Sequence, residues 1–319
     1  MKHEPTQMVD FDSPNEEEQL TVQRRLFTYS KQAITAALAV DRIMVNYPAF
    51  AESMHGVDRV FQLGRELSIQ QGIQITGLSG SGKTALARYF LSSQPKSTLF
   101  EEGFDALAIR LPSRPAVGQV IGALLRRLRH PFPSITAQTL DIKRQMLIDA
   151  LRQKGTRLIF IDEAHSLLAQ TRAHGRSSIM FGNVTDLLRE LMDEAGVAMV
   201  LLGTEALIEL DSADAHLANR ISARFELKGL ELPAIWHGFV RSFIKQVKAL
   251  DLTMLSDKDE ARRLFSVTEG NLRSFKRLIA EAALVAVDDR ADAIESKHLH
   301  TAFERVNGKD FPKVNPYAG

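Results

Sequence analysis

The chain has 319 residues, of which 45% are hydrophobic, and its 40 lysines and arginines nearly balance 39 aspartates and glutamates, giving a formal net charge of +1. This length and composition allow one large or two moderate domains with a buried core. The balanced charge excludes a histone-like polycation, so any affinity for nucleic acid has to come from local basic patches. The absence of cysteine excludes disulfides and thiolate metal sites and favours a cytoplasmic location.

The N-terminal part of the chain changes character after residue 18. Residues 1–18 are polar and acidic, which predicts a disordered arm. Residues 19–70 predict an N-terminal helical extension, in which one helical pattern covers 18–45 and a second covers 51–69. Apolar runs elsewhere are much shorter than the roughly 20 residues that span a bilayer, so we expect no membrane contact.

Residues 71–230 alternate short apolar runs with longer helical patterns. The predicted strands are 73–76, 107–111, 157–161, 197–202 and 224–227. This alternation favours a parallel sheet with helices on both faces, and therefore an α/β fold. Residues 231–306 carry only helical patterns, and 307–319 are expected to form a flexible C-terminal tail. The predicted helices of this second part are 233–249, 258–265, 272–287 and 296–306.

A phosphate-binding pattern follows the first predicted strand of the sheet. Residues 77–84 are GLSGSGKT, which fits G-x-x-x-x-G-K-[ST] between a strand and a helix. The glycines let backbone N–H groups face an anion, Lys83 reaches the β- and γ-phosphates, and the Thr84 hydroxyl can ligate Mg²⁺. The residues predicted to bind nucleotide here are Gly77, Leu78, Ser79, Gly80, Ser81, Gly82, Lys83, Thr84 and Ala85.

Two adjacent carboxylates, Asp162 and Glu163, end the third predicted strand. Such a pair is costly at the end of an apolar strand unless it faces a cation or water, and a strand end beside a phosphate loop supplies both. We therefore expect Asp162 to hold Mg²⁺ and Glu163 to polarise the attacking water as general base. The alternative is a charged helix cap after a core strand.

Further polar residues follow the later strands. Thr204 comes directly after the run 197–202 and could orient water and the γ-phosphate, although capping a helix is the commoner role of such a threonine. Arg220 precedes the last predicted strand, Arg224 lies at its start, and Arg273 lies at the start of a predicted helix. Arginine can neutralise the charge that develops on a transferred phosphoryl group, whereas the alternative for each arginine is a surface salt bridge.

The order of these motifs resembles that of the AAA+ ATPases. In such a resemblance residues 77–84 are Walker A, 158–163 are Walker B, Thr204 is sensor 1, Arg220 or Arg224 is the arginine finger, and Arg273 is sensor 2. The resemblance implies an AAA+ core with a small C-terminal helical lid. It also implies that the linker before the core contributes to the adenine pocket, which points to Tyr47 and Pro48; a helix break packed on the core is the alternative.

Within this class the segment 41–63 is similar to the one that precedes the core in the transposition ATPases TniB and TnsC, with extra residues in the Ile-x-Tyr-Pro element. The resemblance implies ATP and Mg²⁺ as cofactors, ATP hydrolysis, and assembly as a ring or helical filament on double-stranded DNA. It also implies two partners, a DDE transposase and a TniQ-like targeting protein. A second possibility is an AAA+ ATPase with another client, either of the secretion-associated GspA type or an origin-recognition relative. A third is a signalling NTPase that does not bind DNA.

Two stretches without acidic residues are the places where we expect DNA contact. The stretch 106–140 contains five arginines and no aspartate or glutamate, and Arg110 and Arg114 lie at the end of its strand and in the following turn. The stretch 164–184 has the same property and contains Arg172 and Arg176. Cationic loops of this kind are suited to the phosphate backbone of duplex DNA. The arginines near 126–129 could instead complete a helix, where the macrodipole favours cations.

Overall fold

The computed structural model describes residues 28–63, 66, 71–94, 104–168, 184–231, 233–308 and 311–318. The predicted N-terminal arm and residues 19–27 of the predicted extension lie outside these residues. The predicted DNA contacts Arg172 and Arg176 also lie outside them. The chain divides into two compact units. The α/β unit comprises residues 44–239 and 268–274, and the helical unit comprises 1–43, 240–267 and 275–319.

The α/β unit is built on a five-stranded parallel sheet with the order β2-β3-β4-β1-β5. The strands are β1 (Gly72–Thr76), β2 (Ala106–Arg110), β3 (Leu158–Asp162), β4 (Ala198–Gly203) and β5 (Ile221–Glu226). Central strands β1 and β4 are buried along their whole length. Such continuous burial is expected of a parallel sheet that is covered on both faces.

Helices follow the strands in the order that a parallel sheet requires, since each parallel connection needs a crossover. Those of the α/β unit are α2 (Pro48–Leu63), α3 (Lys83–Ser93), α4 (Val117–Arg127), α5 (Leu140–Gln153), α6 (Val184–Ala195) and the short α7 (Leu210–Ala213) and α8 (Ala215–Ala218). The apolar faces of α4, α5 and α6 join β2, β3 and β4 in one buried cluster. Single-turn 3₁₀ segments at Ala164–Leu167 and Glu205–Glu209 follow β3 and β4.

The helical unit contains α1 (Lys31–Arg42), the C-terminal end of α9 (Ala234–Ile244), α10 (Lys258–Thr268), most of α11 (Leu272–Asp288) and α12 (Ser296–Asn307). The rings of Phe243 and Phe275 meet edge to face with centroids 4.9 Å apart, and both side chains are fully buried. The Tyr29 hydroxyl, just before α1, donates to Glu281 on α11 at 2.5 Å. The helical unit thus has its own apolar core and its own hydrogen bonds between side chains.

The predicted fold class is confirmed: the sheet is parallel, helices follow its strands, and helices alone make up the C-terminal part. The last strand begins earlier than predicted, at Ile221, so Arg224 lies within β5 and not at its start. The reason is that β5 forms an edge of the sheet and pairs with β1 through backbone groups, which does not require an apolar run. The predicted domain limits at 18, 70, 230 and 306 stay predictions.

Candidate nucleotide-binding site

Four of the parallel strands bring the predicted site residues to one edge of the sheet. The phosphate-binding loop follows β1, Arg110 ends β2, Asp162 ends β3, and Thr204 follows β4. Because β2, β3, β4 and β1 are neighbours and parallel, their carboxyl ends lie side by side. Crevices at the carboxyl ends of parallel strands are the usual place for ligand sites in open α/β sheets.

The loop 77–82 has the backbone shape that an anion site requires. Gly80 and Gly82 have φ angles of +84° and +103°, in the left-handed region that favours glycine. Gly82 is the N-cap of α3 and has no side chain to cap the first N–H groups of this helix. The free N–H groups and the helix dipole make this end of α3 suited to a phosphate. The predicted binding residues 77–85 are therefore arranged around one helix N-terminus.

Lys83 is held against the same loop. Its Nζ donates to the backbone carbonyls of Gly77 and Leu78 at 2.7 and 2.8 Å. Burial lowers the pKa of Lys83 and the cation of Arg273 acts in the same direction, while the charges of Asp162 and Glu163 raise it. A partly dehydrated ammonium with a second cation nearby is an environment in which a polyphosphate is favoured.

The residues predicted for Mg²⁺ meet directly. Thr84 Oγ1 donates to Asp162 Oδ2 at 2.7 Å, although the two residues are 78 positions apart in the chain. Mg²⁺ is usually held by one or two protein oxygens and completed by substrate phosphates and water. A hydroxyl and a carboxylate oxygen at this distance fit that requirement. The Ser81 hydroxyl is buried and has no hydrogen-bond partner among the described residues, which leaves a donor for a phosphate oxygen.

Glu163 projects from a strained turn at the end of β3. Its φ and ψ angles are +57° and +35°, a left-handed conformation that is uncommon for any residue other than glycine, and its N–H donates to Asp162 Oδ1 at 2.9 Å. Arg110 Nη2 lies 3.1 Å from Glu163 Oε1, and His165 Nε2 lies 3.5 Å from Oε2. Both carboxylate oxygens of the predicted general base are thus contacted by basic side chains.

Thr204 lies at the N-cap position of the 3₁₀ segment after β4, but its side chain makes no cap hydrogen bond. Its backbone N–H donates instead to His165 Nδ1 at 3.5 Å. The Thr204 hydroxyl therefore does not cap this segment, which was the alternative to the sensor role. Its position beside the end of β3 is the one that the sensor prediction requires.

The two arginines predicted as fingers form ion pairs within the chain. Arg220 makes a bidentate pair with Asp193, at 3.0 and 2.7 Å, and also donates to the carbonyl of His216 at 3.0 Å. Arg224 pairs with Asp211. Both guanidinium groups remain partly exposed. Each would have to release its aspartate partner before it could bind a group on a neighbouring molecule.

Arg273 lies beside the phosphate-binding loop, as the sensor 2 prediction requires, within the α/β unit. Its Nη1 donates to Ser79 Oγ at 3.4 Å, and its backbone N–H donates to the carbonyl of Gly80 at 3.3 Å. Asn271, which belongs to none of the predicted motifs, donates to the carbonyl of Ser79 at 2.7 Å and accepts from the N–H groups of Arg273 and Ser274. An asparagine directly before a helical pattern is an N-cap signal, but its bond to a loop 192 residues away has no sequence signal.

Tyr47 and Pro48 lie at the start of α2. Pro48 is the first residue of this helix, where its fixed φ and missing N–H are tolerated. Tyr47 is buried, and its hydroxyl donates to the carbonyl of Ser81 at 3.2 Å. Tyr47 is therefore in contact with the phosphate-binding loop, and the contribution of Tyr47 and Pro48 to an adenine pocket stays a prediction.

The predicted DNA contacts occupy two kinds of position. Arg114 is exposed in the turn 111–116 between β2 and α4, and it has no carboxylate partner among the residues that the structure describes. Arg110 is exposed but paired with Glu163. Arg110, Arg126 and Arg127 line one open cavity of about 370 Å³. Three of the five arginines of this stretch therefore line one cavity, whereas Arg129 lies over the ring of Phe104, just before β2.

The sheet order, the phosphate-binding loop and the carboxylate pair together define a P-loop domain with the AAA+ fold. In agreement with this, the fold is similar to origin-recognition proteins. These are the Aeropyrum pernix ORC2 protein in ADPNP and ADP complexes (TM-score 0.55, 14% identity, 79% of this chain and 66% of that one) and the A. pernix ORC1 protein in complex with DNA (0.57, 16%, 83% and 67%). The Cdc6p protein of Pyrobaculum aerophilum is a third case (0.54, 17%, 83% and 69%).

The family follows from the sequence comparison. Residues 36–231, more than half of the chain, match the family described as bacterial TniB protein, and the chain belongs to this family. A curated relative, the ATP-dependent zinc metalloprotease FtsH of Ureaplasma parvum serovar 3, is 25% identical over 250 residues. This match covers 75% of the chain, which spans only 29% of that relative's length. Among the described residues, no helix is both long and apolar enough to cross a membrane.

Proposed function

We propose that this protein binds ATP with Mg²⁺, hydrolyses it, and in its ATP state assembles on duplex DNA to select target sites for a transposase. The observation that carries the proposal is the contact of Thr84 with Asp162, with Glu163 adjoining, beside a loop of P-loop shape. Membership of the TniB family supports the role in transposition.

Each residue of the site has a chemical task in this proposal. The N–H groups of 80–84 and the Lys83 ammonium bind the phosphates, and Thr84 and Asp162 hold the metal ion. The Mg²⁺ ion supplies Lewis-acid neutralisation of the phosphate charge. Glu163 takes a proton from the attacking water, and Thr204 orients that water. Arg273 neutralises charge on the outer phosphate.

An arginine from a neighbouring copy completes the proposed site. Arg220 lies directly before β5 and Arg224 lies within it. Each forms an ion pair with an aspartate, and a phosphate could take the place of that aspartate. If either acts in trans, the γ-phosphate joins two protomers, and the oligomer depends on the nucleotide. A ring or a helical filament of identical copies would result.

DNA and protein partners form the finer part of the proposal. Arg114 and the neighbouring Arg110 would contact phosphates of duplex DNA, together with Arg172 and Arg176 from the second stretch without acids. A DDE transposase and a TniQ-like protein would be recruited to the assembled oligomer. The similarity to the origin-recognition structures concerns the fold alone, whereas the family match favours a transposition client over replication initiation.

Glu163→Gln tests the catalytic assignment. The substitution keeps the size of the side chain but removes the base, so we expect ATP affinity to stay within a fewfold while turnover falls roughly 100-fold or more. Fluorescent-nucleotide binding and phosphate release measure the two quantities. Glu231→Gln, an exposed acid outside the site, is the matched control and should hydrolyse ATP at the wild-type rate. Unchanged turnover in Glu163→Gln would refute the assignment.

Arg114→Glu tests the proposed DNA surface. We expect wild-type protein with a non-hydrolysable ATP analogue to bind duplex DNA of any sequence, and the variant to bind roughly tenfold more weakly at 0.1 M salt. Fluorescence anisotropy at two salt concentrations also gives the salt slope, which should become shallower by about one unit per lost phosphate contact.

The control for the DNA experiment carries the same charge reversal elsewhere. Arg262 lies on α10 and forms only an exposed ion pair with Asp259, so Arg262→Glu should bind DNA as the wild type does. Arg176→Glu extends the test to the second stretch without acids. Nucleotide-independent binding by the wild type, or equal losses for Arg114→Glu and Arg262→Glu, would contradict a specific DNA surface at Arg114.

A further inference from the structure

His165 connects two parts of the site that lie on different strands. Its Nδ1 accepts the backbone N–H of Thr204 at 3.5 Å, and its Nε2 lies 3.5 Å from Glu163 Oε2. The ring is partly buried, with 29% of its side chain exposed, beside a Glu163 carboxylate that is 35% exposed. The end of β4 and the proposed general base therefore contact opposite nitrogens of one imidazole.

The contact with Thr204 fixes which nitrogen of the ring carries the proton. A backbone N–H can only donate, so Nδ1 has to be the unprotonated nitrogen of a neutral imidazole. The proton is then on Nε2, which faces the Glu163 carboxylate. In this tautomer the Nε2–H group faces Glu163 Oε2 at 3.5 Å while Nδ1 accepts from Thr204.

The backbone of His165 is closely packed on both sides. A Cβ added at Gly203 would come within 3.2 Å of the His165 backbone nitrogen, which shows how closely the end of β4 approaches this turn. The turn itself is closed by the N–H of Ser166, which donates to the carbonyl of Glu163 at 2.9 Å. Close backbone packing on one side and a closed turn on the other fix the backbone position from which the His165 side chain makes both contacts.

The other oxygen of Glu163 explains why such a contact matters. Arg110 Nη2 is 3.1 Å from Oε1, and the Arg110 side chain is 73% exposed and on an edge strand. A single contact from an exposed arginine does not fix the rotation of a carboxylate. A second donor on Oε2, anchored to β4, does so.

We propose that His165 is a positioning residue for ATP hydrolysis, which orients the Glu163 carboxylate by an Nε2–H donor and ties it to the end of β4 at Thr204. The inference rests on the proposed function, because it assigns to Glu163 the role of general base. His165 touches neither nucleotide nor water in this proposal and acts only through Glu163.

Three substitutions separate the two contacts of the ring. Gln places an amide N–H near the position of Nε2 and so keeps the donor to Glu163. Asn places its polar atoms near Nδ1 and keeps only the contact with Thr204, and Phe keeps the ring volume but neither contact. We expect kcat to fall roughly 10- to 100-fold in His165→Asn and His165→Phe, the size of effect that misplaced reacting groups produce, and to stay within about threefold of wild type in His165→Gln.

The readouts distinguish positioning from a loss of folding. The KM for ATP, the affinity for a non-hydrolysable analogue and the thermal midpoint should change little in all three variants. His130→Phe is the matched control, because His130 Nδ1 also accepts a backbone N–H, from Phe132 at 3.2 Å, with no acid of the site beside it. This control should keep the wild-type kcat.

The outcomes for His165 and for the proposed function are distinct. If Glu163→Gln abolishes turnover but the three His165 variants all retain it, the positioning role is refuted and the proposed function stands. Equal losses of kcat in the Gln and Phe variants, or a parallel loss of nucleotide affinity, would also refute it. If Glu163→Gln itself hydrolyses ATP normally, the proposed function fails whatever His165 does.

Discussion

Tyr47 shows how a single buried residue serves both the fold and the site. Its ring packs against Phe50 and Phe239, with centroids 5.8 and 6.2 Å away, and its hydroxyl donates to the carbonyl of Ser81. Burial raises the pKa of this phenol from 10.0 to about 12. The hydroxyl therefore remains a donor to the phosphate-binding loop over the whole physiological pH range.

Tyr47→Phe has opposite effects on stability at neutral and at high pH. At pH 7 we expect the variant to be less stable by about 1 kcal/mol, because it loses one hydrogen bond. A phenol whose pKa is higher in the folded chain stabilises the fold below pH 10 and loses this contribution as the pH rises towards about 12. Between pH 9 and pH 11.5 the wild type should therefore lose about 2 kcal/mol that the variant does not.

Urea unfolding at a series of pH values measures this difference. The order of stability of the two proteins should reverse at high pH. Tyr89→Phe is the control, because Tyr89 is 43% exposed and its substitution should leave the pH dependence as in the wild type. Parallel pH curves for wild type and Tyr47→Phe would show that this phenol does not titrate as its burial requires.

At the scale of elements, the local signals were sufficient for most of the sheet and for the phosphate-binding loop. Each predicted strand overlaps an observed one, and the loop, the proposed metal ligands and the carboxylate pair come from residues adjacent in sequence to a strand end. Strand β5 was predicted too short because an edge strand carries polar residues. The helices α7 and α8, of four residues each, have no periodicity to detect.

The contacts that the sequence could not predict join distant elements. The bond of Asn271 to Ser79, the bond of Thr204 to His165 and the ion pair of Arg220 with Asp193 depend on tertiary placement. Propensity and motif rules describe neighbours along the chain, whereas these contacts follow from the order of the strands. The Arg110–Glu163 pair was missed for the same reason, since register places Arg110 opposite Asp162.

At the scale of the whole molecule, the proposed trans finger predicts a mixing effect. Arg220→Ala should lose the finger and Glu163→Gln the base, so each protein alone should be nearly inactive. In an equal mixture of the two, about one quarter of the interfaces combine an intact Glu163 with a neighbour's intact Arg220, and ATPase activity should recover to about that fraction. Phosphate release at increasing ratios of the two proteins measures the recovery.

The control for mixing is the double variant Arg220→Ala, Glu163→Gln. It cannot supply a finger to Arg220→Ala, so that mixture should stay inactive. The same experiment with Arg224→Ala decides which arginine acts in the neighbour. If neither arginine variant recovers activity with Glu163→Gln, the finger in trans is refuted for both.

The division of the chain into two units determines where it can be truncated. Residues 268–274 group with the sheet, although the chain on both sides of them groups with the helical unit. Within this short segment Asn271 and Arg273 hold the loop residues Ser79 and Gly80. A fragment that stops at residue 239 would keep every strand and both Walker motifs but lose these bonds. A fragment defined by continuous sequence limits therefore does not contain the complete candidate site.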